Sequence, residues 1–529
     1  MTAVPDPIAA GLARGWHAYD ASRLASDIAV DTDVVIVGTG AGGGTAAEVL
    51  RKRGHGVILV EEGPLASSSD FHMRESEAYP NLYQESAGRR TADKGILILQ
   101  GRSVGGSTTV NWTTSLRTPP AVLDYWGTHF GLNDYSEVAL EPFFAEREAR
   151  LNVRPWPVQN ENNGILLRGA RKLGIATSVV PRNVKGCRNL GYCDLGCPVN
   201  AKQSMLVTTI PAALDAGAVL YSRLRADAFV LSGDRVTSLT CSAIDAAGVR
   251  LTGRRVTIRA KVFVAAGGAI GSPALLLRSG MPDPYGVLGT RTFLHPTVIS
   301  AAQMPQKVDG FSGAPQSIYS DHFLGLDQPD GPIGYKLEVP PLHPVLVTTS
   351  TPGFGSDHAR LLAGFDRLQV TIALMRDGFR PDAAGGTVRL RKDGSPVLDY
   401  AITAPLWDGM QRALVTMAEI QFAAGARGVL PLHESATIAT TLAQAKTMIG
   451  GLPLEILRLH VASAHVMGGC GMGADPRTSV VDGSGRHHQV RNVYAFDGSV
   501  FPTSLGANPQ LSIFAIVARN AELLARELA

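Results

Sequence analysis

Short runs of consecutive apolar residues alternate with amphipathic stretches along the first part of this chain. Residues 33–38 read DVVIVG, the pattern of a strand buried on both faces. Residues 45–54, TAAEVLRKRG, then have helical spacing, and VILVEEG from Val57 to Gly63 predicts a second buried strand. Strand, helix and strand in that order predict a parallel α/β unit. A related pattern returns at 262–280, where the apolar run VFVAA enters small residues and Ser272-Pro273 is expected to open an amphipathic helix. Residues 121–180 read as helical around a polar, Pro-rich loop at 154–164. Residues 300–455 have a different rhythm: TVRLRKDGSPVLDYAI alternates as a hairpin would, and a helix is expected near 405–425.

Composition narrows the class. With 529 residues the chain has room for roughly three average domains. A net charge of +3 without a basic block gives nucleic-acid binding little electrostatic support. No apolar run approaches the roughly 18–20 residues that span a bilayer, and the N-terminus lacks the pattern of a secretory signal. Five cysteines, an odd number in a long chain, argue against a disulfide framework. Cytoplasmic residence is the expectation, with membrane association only through a partner.

The chemistry starts at the first strand–helix turn. Gly38, Gly40 and Gly43 fit G-x-G-x-x-G: the first for a tight turn, the second for close approach of backbone to a pyrophosphate, the third for helix–strand packing. The helix start then faces the phosphates. Glu61 ends the second strand 18 residues past Gly43, where an acid binds a ribose hydroxyl. Such a site suits FAD or NAD alike. GRSVGGSTTVNW, from Gly101 to Trp112, adds a second glycine-rich turn. Near the C-terminus, SAHVMGGCGMG (463–473) and FDGSVFPTSLGANPQLSIFAI (496–516) place His465 and Asn508 among small residues, 43 positions apart.

These segments, together with AAGGAIGSPALLLRSG and in this order, resemble the glucose–methanol–choline (GMC) family of FAD-dependent oxidoreductases along nearly the whole chain. The resemblance implies an α/β fold: a doubly wound, Rossmann-like FAD-binding domain built from separated blocks, with an α+β substrate domain on an antiparallel sheet. On that scheme residues 1–30 form a helical N-terminal arm. Residues 31–120, 181–299 and 456–529 form the FAD-binding domain, 121–180 a connecting helical segment and 300–455 the substrate-binding domain. It implies FAD contacts at Gly38, Gly40, Gly43 and Glu61. Arg102, Gly105, Gly106, Ser107 and Asn111 fall in the loop beside the isoalloxazine, and Ala226 falls loosely at adenine. Asp497 and Gly498 match the pyrophosphate–ribityl contacts, and Pro509 the pyrimidine end of the flavin.

The same resemblance makes His465 the catalytic histidine and Asn508 the second catalytic position. A histidine near neutral pKa suits removal of a hydroxyl proton, and an amide suits orientation of the oxygen. The flavin then takes the hydride. Gly469 stands where the family often has Thr or Ser. His295 and His460 read as structural, His487 and His488 as solvated, and Cys470 as small buried packing.

Cys187, Cys193 and Cys197 form C-x5-C-x3-C-P. Its end resembles a ferredoxin run, and a similar triple holds a three-iron iron–sulfur cluster in membrane-associated sugar dehydrogenases of the family. Free or partly paired thiols and a zinc site are the alternatives; no fourth zinc ligand is near. The apolar segment YKLEVPPLHPVLVTTSTPGFG reads either as core or as the wall of a cavity for a hydrophobic alcohol. The expected activity is oxidation of a small-molecule alcohol, with oxygen, a quinone or a cytochrome as electron acceptor. A non-redox lyase, a photodecarboxylase or an electron-transfer flavoprotein subunit on the same scaffold are the alternatives.

Overall fold

The computed structural model describes residues 4–529, so the first three residues of the expected arm lie outside the described residues. The apolar run at 33–38 belongs to a longer strand, Ile28–Val37, at the centre of the first sheet. Val34 to Val37 pair in parallel with Val57 to Val60 on one side. Val262 to Ala265 pair in parallel with Val34 to Val37 on the other. The sheet runs Ala18–Asp20, Val219–Ser222, Val57–Val60, Ile28–Val37, Leu251–Ala265, Arg235–Ile244 and Leu224–Ser232, with Val493–Ala495 also on Leu251–Ala265. Helices Ala41–Lys52 and Gln510–Leu528 pack on one another beside it. Val34, Val35 and Ile36 are buried, as a strand covered on both faces requires.

The N-terminal arm is helical only over Pro7–Ala13; Ala18–Asp20 then adds an edge strand to this sheet. The helix expected to start at Ser272 begins earlier, at Gly268, and runs through Pro273 to Arg278. Ser272 is therefore inside it, and its hydroxyl donates to Asp497 and accepts from the Gly267 N–H.

The second sheet is mostly antiparallel. Its order is Ile96–Ile98, Val461–Ser463, Thr297–Gln303, Leu368–Met375, Tyr335–Glu338, Ile318–Phe323 and Ser178–Val179, with Gly428–Pro431 also on Thr297–Gln303. Four of these strands fall outside the expected substrate block at 300–455 in whole, at 96–98, 178–179 and 461–463, or in part, at 297–303. The long helix Ala404–Ala423 covers this sheet, and Thr387–Leu390 with Pro396–Asp399 forms the expected hairpin. Val461–Ser463 leads directly to His465, so a strand of the second sheet positions that residue.

Candidate active site

One cavity of about 850 Å³ runs from the glycine turn of the first sheet to the face of the second. At one end lie Gly38, Gly40, Glu61 and Ala226; Gly106, Ser107, Asn111, Asp497, Gly498 and Pro509 line its middle. The helix Ala41–Lys52 has no side-chain cap at Gly40, so its first N–H groups are open to the cavity. An uncapped helix start is a ready place for a diphosphate. Side chains cannot enter here: a Cβ on Gly106, whose φ is +52°, would lie 2.7 Å from Gly40 Cα. A Cβ on Gly42 would sit 1.7 Å from the Phe496 carbonyl oxygen. The residues therefore fit a dinucleotide held by bare backbone.

Other members of the expected set act from behind. Gly43 lies against the Gly38 carbonyl, where a Cβ would come within 1.9 Å. Gly105, at φ +89°, turns the second glycine loop, and its N–H donates to Thr39 Oγ1. Arg102 is not in the cavity wall; it pairs with Glu62 at 3.0 Å and donates to the Gly248 carbonyl. Asn111 donates to Gln510 Oε1 at 2.7 Å, which ties the loop to the C-terminal helix. Asp497 accepts from the N–H groups of Gly268 and Ser499, and burial raises its carboxyl above the usual range.

At the other end, His465 and Asn508 meet: Asn508 Nδ2 lies 3.3 Å from His465 Nε2. His295, expected to be structural, is part of this group. Its Nδ1 lies 3.3 Å from His465 Nδ1, and the Gly506 N–H donates to its Nε2 at 3.0 Å. That donor leaves His295 a lone pair on Nε2 and a proton on Nδ1. His295 Nδ1–H then donates to His465 Nδ1, and neutral His465 carries its proton on Nε2. Burial lowers both rings, and His465 falls to about 4 with Lys336 adding to the effect, so both are neutral near pH 7. Asp377 fixes the His295 backbone by accepting from the N–H groups of Leu294 and His295. Past this group the wall turns apolar, with Ile299, Leu342, Leu361, Val370, Ile372 and Leu432.

Sequence reasoning passed over His295, Glu338 and Gln510. His295 stands before a proline outside any glycine-rich frame, and its only signal was proximity in space. His487 is buried and not solvated, burial lowers it to about 4, and its Nδ1 accepts from the Gln489 N–H. His488 is half-buried, 2.9 Å from Ser479 Oγ. His460 pairs with Glu434 at 2.9 Å, away from the site. Cys470 is fully buried, and burial pushes its thiol pKa up.

Cys187, Cys193 and Cys197 are unpaired thiols at partly buried residues. Arg182 Nη2 lies 3.5 Å from Cys193 Sγ, and Lys202 donates to the carbonyls of Cys193, Thr109 and Asn111. Both cations are buried. Among the described residues, no three His, Cys, Asp or Glu side chains close on a single metal-ion position.

A dinucleotide cradle joined by one cavity to a buried His–Asn pair agrees with what the family matches show, an FAD-dependent alcohol oxidoreductase. Two family models described as GMC oxidoreductase match residues 59–297 and 381–517. The chain belongs to the GMC oxidoreductase family. It is 28% identical to the long-chain-alcohol oxidase FAO1 of Arabidopsis thaliana, over 94% of this chain and 67% of that protein. An uncharacterized GMC-type oxidoreductase of Mycobacterium tuberculosis is 30% identical, over 92% and 74%. Among solved structures, the fold matches Aspergillus oryzae formate oxidase with a TM-score of 0.69 at 14% identity, over 96% of this chain and all of that one. Pyridoxine 4-oxidase matches with a TM-score of 0.67 at 18% identity, over 93% and 99%. No helix among the described residues is long and apolar enough to cross a membrane.

Proposed function

We infer that this protein oxidises a hydrophobic alcohol to an aldehyde or ketone, with His465 and Asn508 holding the hydroxyl and the alkyl chain lying along the apolar wall. The observation that carries this reading is continuity: one cavity joins the uncapped helix start, the His–Asn pair and an aliphatic chamber. The similarity to plant long-chain-alcohol oxidases supports the same substrate class and favours oxygen as electron acceptor over a quinone or cytochrome.

Bound FAD supplies the hydride acceptor; the side chains bind and orient the alcohol. Asn508 fixes the oxygen, so that the carbon–hydrogen bond is held in one direction. His465 meets the hydroxyl through Nε2. The base role expected from the sequence needs a lone pair on that atom, and the His295 contact favours a proton there. His465 is therefore read as the donor that holds and polarises the oxygen. Aliphatic residues exclude water, which strengthens both hydrogen bonds.

Replacing His465 by Ala while FAD stays bound is expected to slow reduction of the holoprotein by alcohol by roughly 10²–10⁴-fold, measured by anaerobic stopped-flow absorbance. Unchanged reduction would remove the ring from the reaction. The three-iron cluster expected at Cys187, Cys193 and Cys197 would carry single electrons away from the site; the buried Arg182 beside Cys193 Sγ suits an anionic group, whereas burial raises the Cys193 thiol and the three thiols close on no common metal position. Iron and acid-labile sulfide in the purified protein would establish the cluster, and the absence of both assigns these residues as plain thiols.

A further inference from the structure

The polar end of the cavity holds one carboxyl group that the oxidation chemistry above does not use. Glu338 ends the strand Tyr335–Glu338, has no exposed surface, and shares the cavity wall with His465 and Asn508. Its Oε2 accepts from Gln316 Nε2 at 2.6 Å and from Asn508 Nδ2 at 3.3 Å. Its Oε1 has no hydrogen-bond partner, and Asn508 Oδ1 has none either. Buried acceptors are almost always paired, because an unpaired one forfeits its bonds to water. Two orphaned acceptors on side chains that touch each other mark the place of a missing donor.

The hydrogen-bond directions say what kind of group fits. The Gly506 N–H fixes His295, and His295 fixes His465 with a proton on Nε2. With Asn508 Nδ2 donating to Glu338 and His465 protonated on Nε2, that ring N–H has no acceptor among these side chains and is left for a ligand oxygen. The site therefore offers one donor, His465 Nε2–H, and two acceptors, Glu338 Oε1 and Asn508 Oδ1. A hydroxyl has lone pairs to accept the first and a single proton, which goes to one of the two acceptors.

We propose that the Glu338 carboxylate is the catalytic residue that accepts the hydroxyl proton of the substrate alcohol, while His465 Nε2–H holds the oxygen. The inference rests on the alcohol-oxidation reading. In the step, the hydroxyl O–H breaks and its proton bonds to Glu338 Oε1, converting the carboxylate to the acid. The adjacent C–H bond breaks with its electron pair, which leaves as hydride to the bound FAD that the activity requires, and the electrons of the O–H bond close the C=O.

The electrostatics suit the task. Burial raises the Glu338 carboxyl to about 7, Lys336 on the same strand opposes the rise, and Asp321 on the neighbouring strand adds to it. Lys336 is itself paired with Asp321, and the two rings at the site are neutral. A base whose pKa lies at the working pH is the effective one. The base must be ionised, so activity is present above that pKa and is lost as pH falls through it.

The test compares the wild-type holoenzyme with Glu338→Gln and Glu338→Asp. Two readouts are used: the pH dependence of anaerobic reduction by a long-chain primary alcohol, and the infrared C=O band of a protonated carboxyl in the oxidised protein. In the wild type, kcat/KM should rise with pH through about 7, and a carboxyl band should fade with the same midpoint. Glu338→Gln should lose both the band and the pH limb. Its kcat should fall on the order of 10²-fold with little change in KM, and Glu338→Asp should restore the limb in part. A Gln variant with the wild-type rate and profile overturns the proposal. If that variant loses FAD, the wild-type infrared titration decides, and a carboxyl band with no such midpoint overturns it. If no alcohol reduces the wild type, the functional reading itself has failed; reduction of wild type and Glu338→Gln alike sinks only the role of Glu338.

Discussion

Glu61 and Glu338 are two buried carboxyl groups on the wall of one cavity, and burial raises the pKa of both. Their surroundings differ. Glu61 has both oxygens engaged: Oε2 accepts from the Thr39 N–H and hydroxyl, and Oε1 accepts from the Gly63 N–H. Glu338 has both its bonds on one oxygen and leaves the other bare. The carboxylate at the binding end is thus fully partnered before a ligand arrives. The reacting end keeps a bare acceptor, Glu338 Oε1, that a hydroxyl would satisfy. Satisfied groups rigidify a site, whereas unsatisfied ones store a preference for a particular partner.

The contrast can be broken from either end. The largest effect is expected from His465→Ala, because it removes the ring read as holding the hydroxyl while leaving the FAD cradle intact. Glu338→Gln should come next, with its loss of the pH limb near 7. Gly106→Ala attacks the other end. The φ of +52° and a Cβ 2.7 Å from Gly40 Cα leave no room, so the variant is expected to purify with little FAD, read from its visible absorbance. Full FAD occupancy would show that the glycine turn tolerates a side chain. The mildest change, Val370→Phe, fills the aliphatic chamber. Each buried methylene contributes about 0.8 kcal/mol, so losing room for two should raise KM for long-chain alcohols roughly 10-fold and leave short-chain ones nearly unchanged. Equal KM shifts for both chain lengths would place the alkyl group elsewhere.

The binding end was legible in the sequence because its chemistry is local. Gly38, Gly40 and Gly43 fall within six residues of one strand–helix turn, and Glu61 follows at the end of the next strand. The motif records the geometry directly. His465 and Asn508 were legible through their small-residue frames, and the structure brings them within 3.3 Å. His295, Gln316 and Glu338 were not, because each is a single polar residue on or beside a strand of the second sheet. Glu338 ends the segment YKLE in a stretch that otherwise reads as apolar wall. What makes it distinctive is the orphaned oxygen, and that depends on register across Tyr335–Glu338 and Leu368–Met375 and on the distant loop carrying Asn508. Ser272 shows the opposite error. A Ser-Pro pair has the local form of a helix start, but tertiary contact with Asp497 keeps the hydroxyl occupied inside a helix already begun at Gly268. His487 was misplaced for a similar reason: the polar turn before it suggests exposure, whereas the folded chain buries the ring.

The most direct test of the account is anaerobic mixing of the FAD-loaded protein with a long-chain primary alcohol in a stopped-flow spectrophotometer. The account predicts that the oxidised flavin absorbance bleaches in a single turnover, faster for long alkyl chains than for short ones, with the matching aldehyde as product. An oxidised spectrum that persists with FAD bound, across all chain lengths and above the pH at which Glu338 ionises, would contradict it.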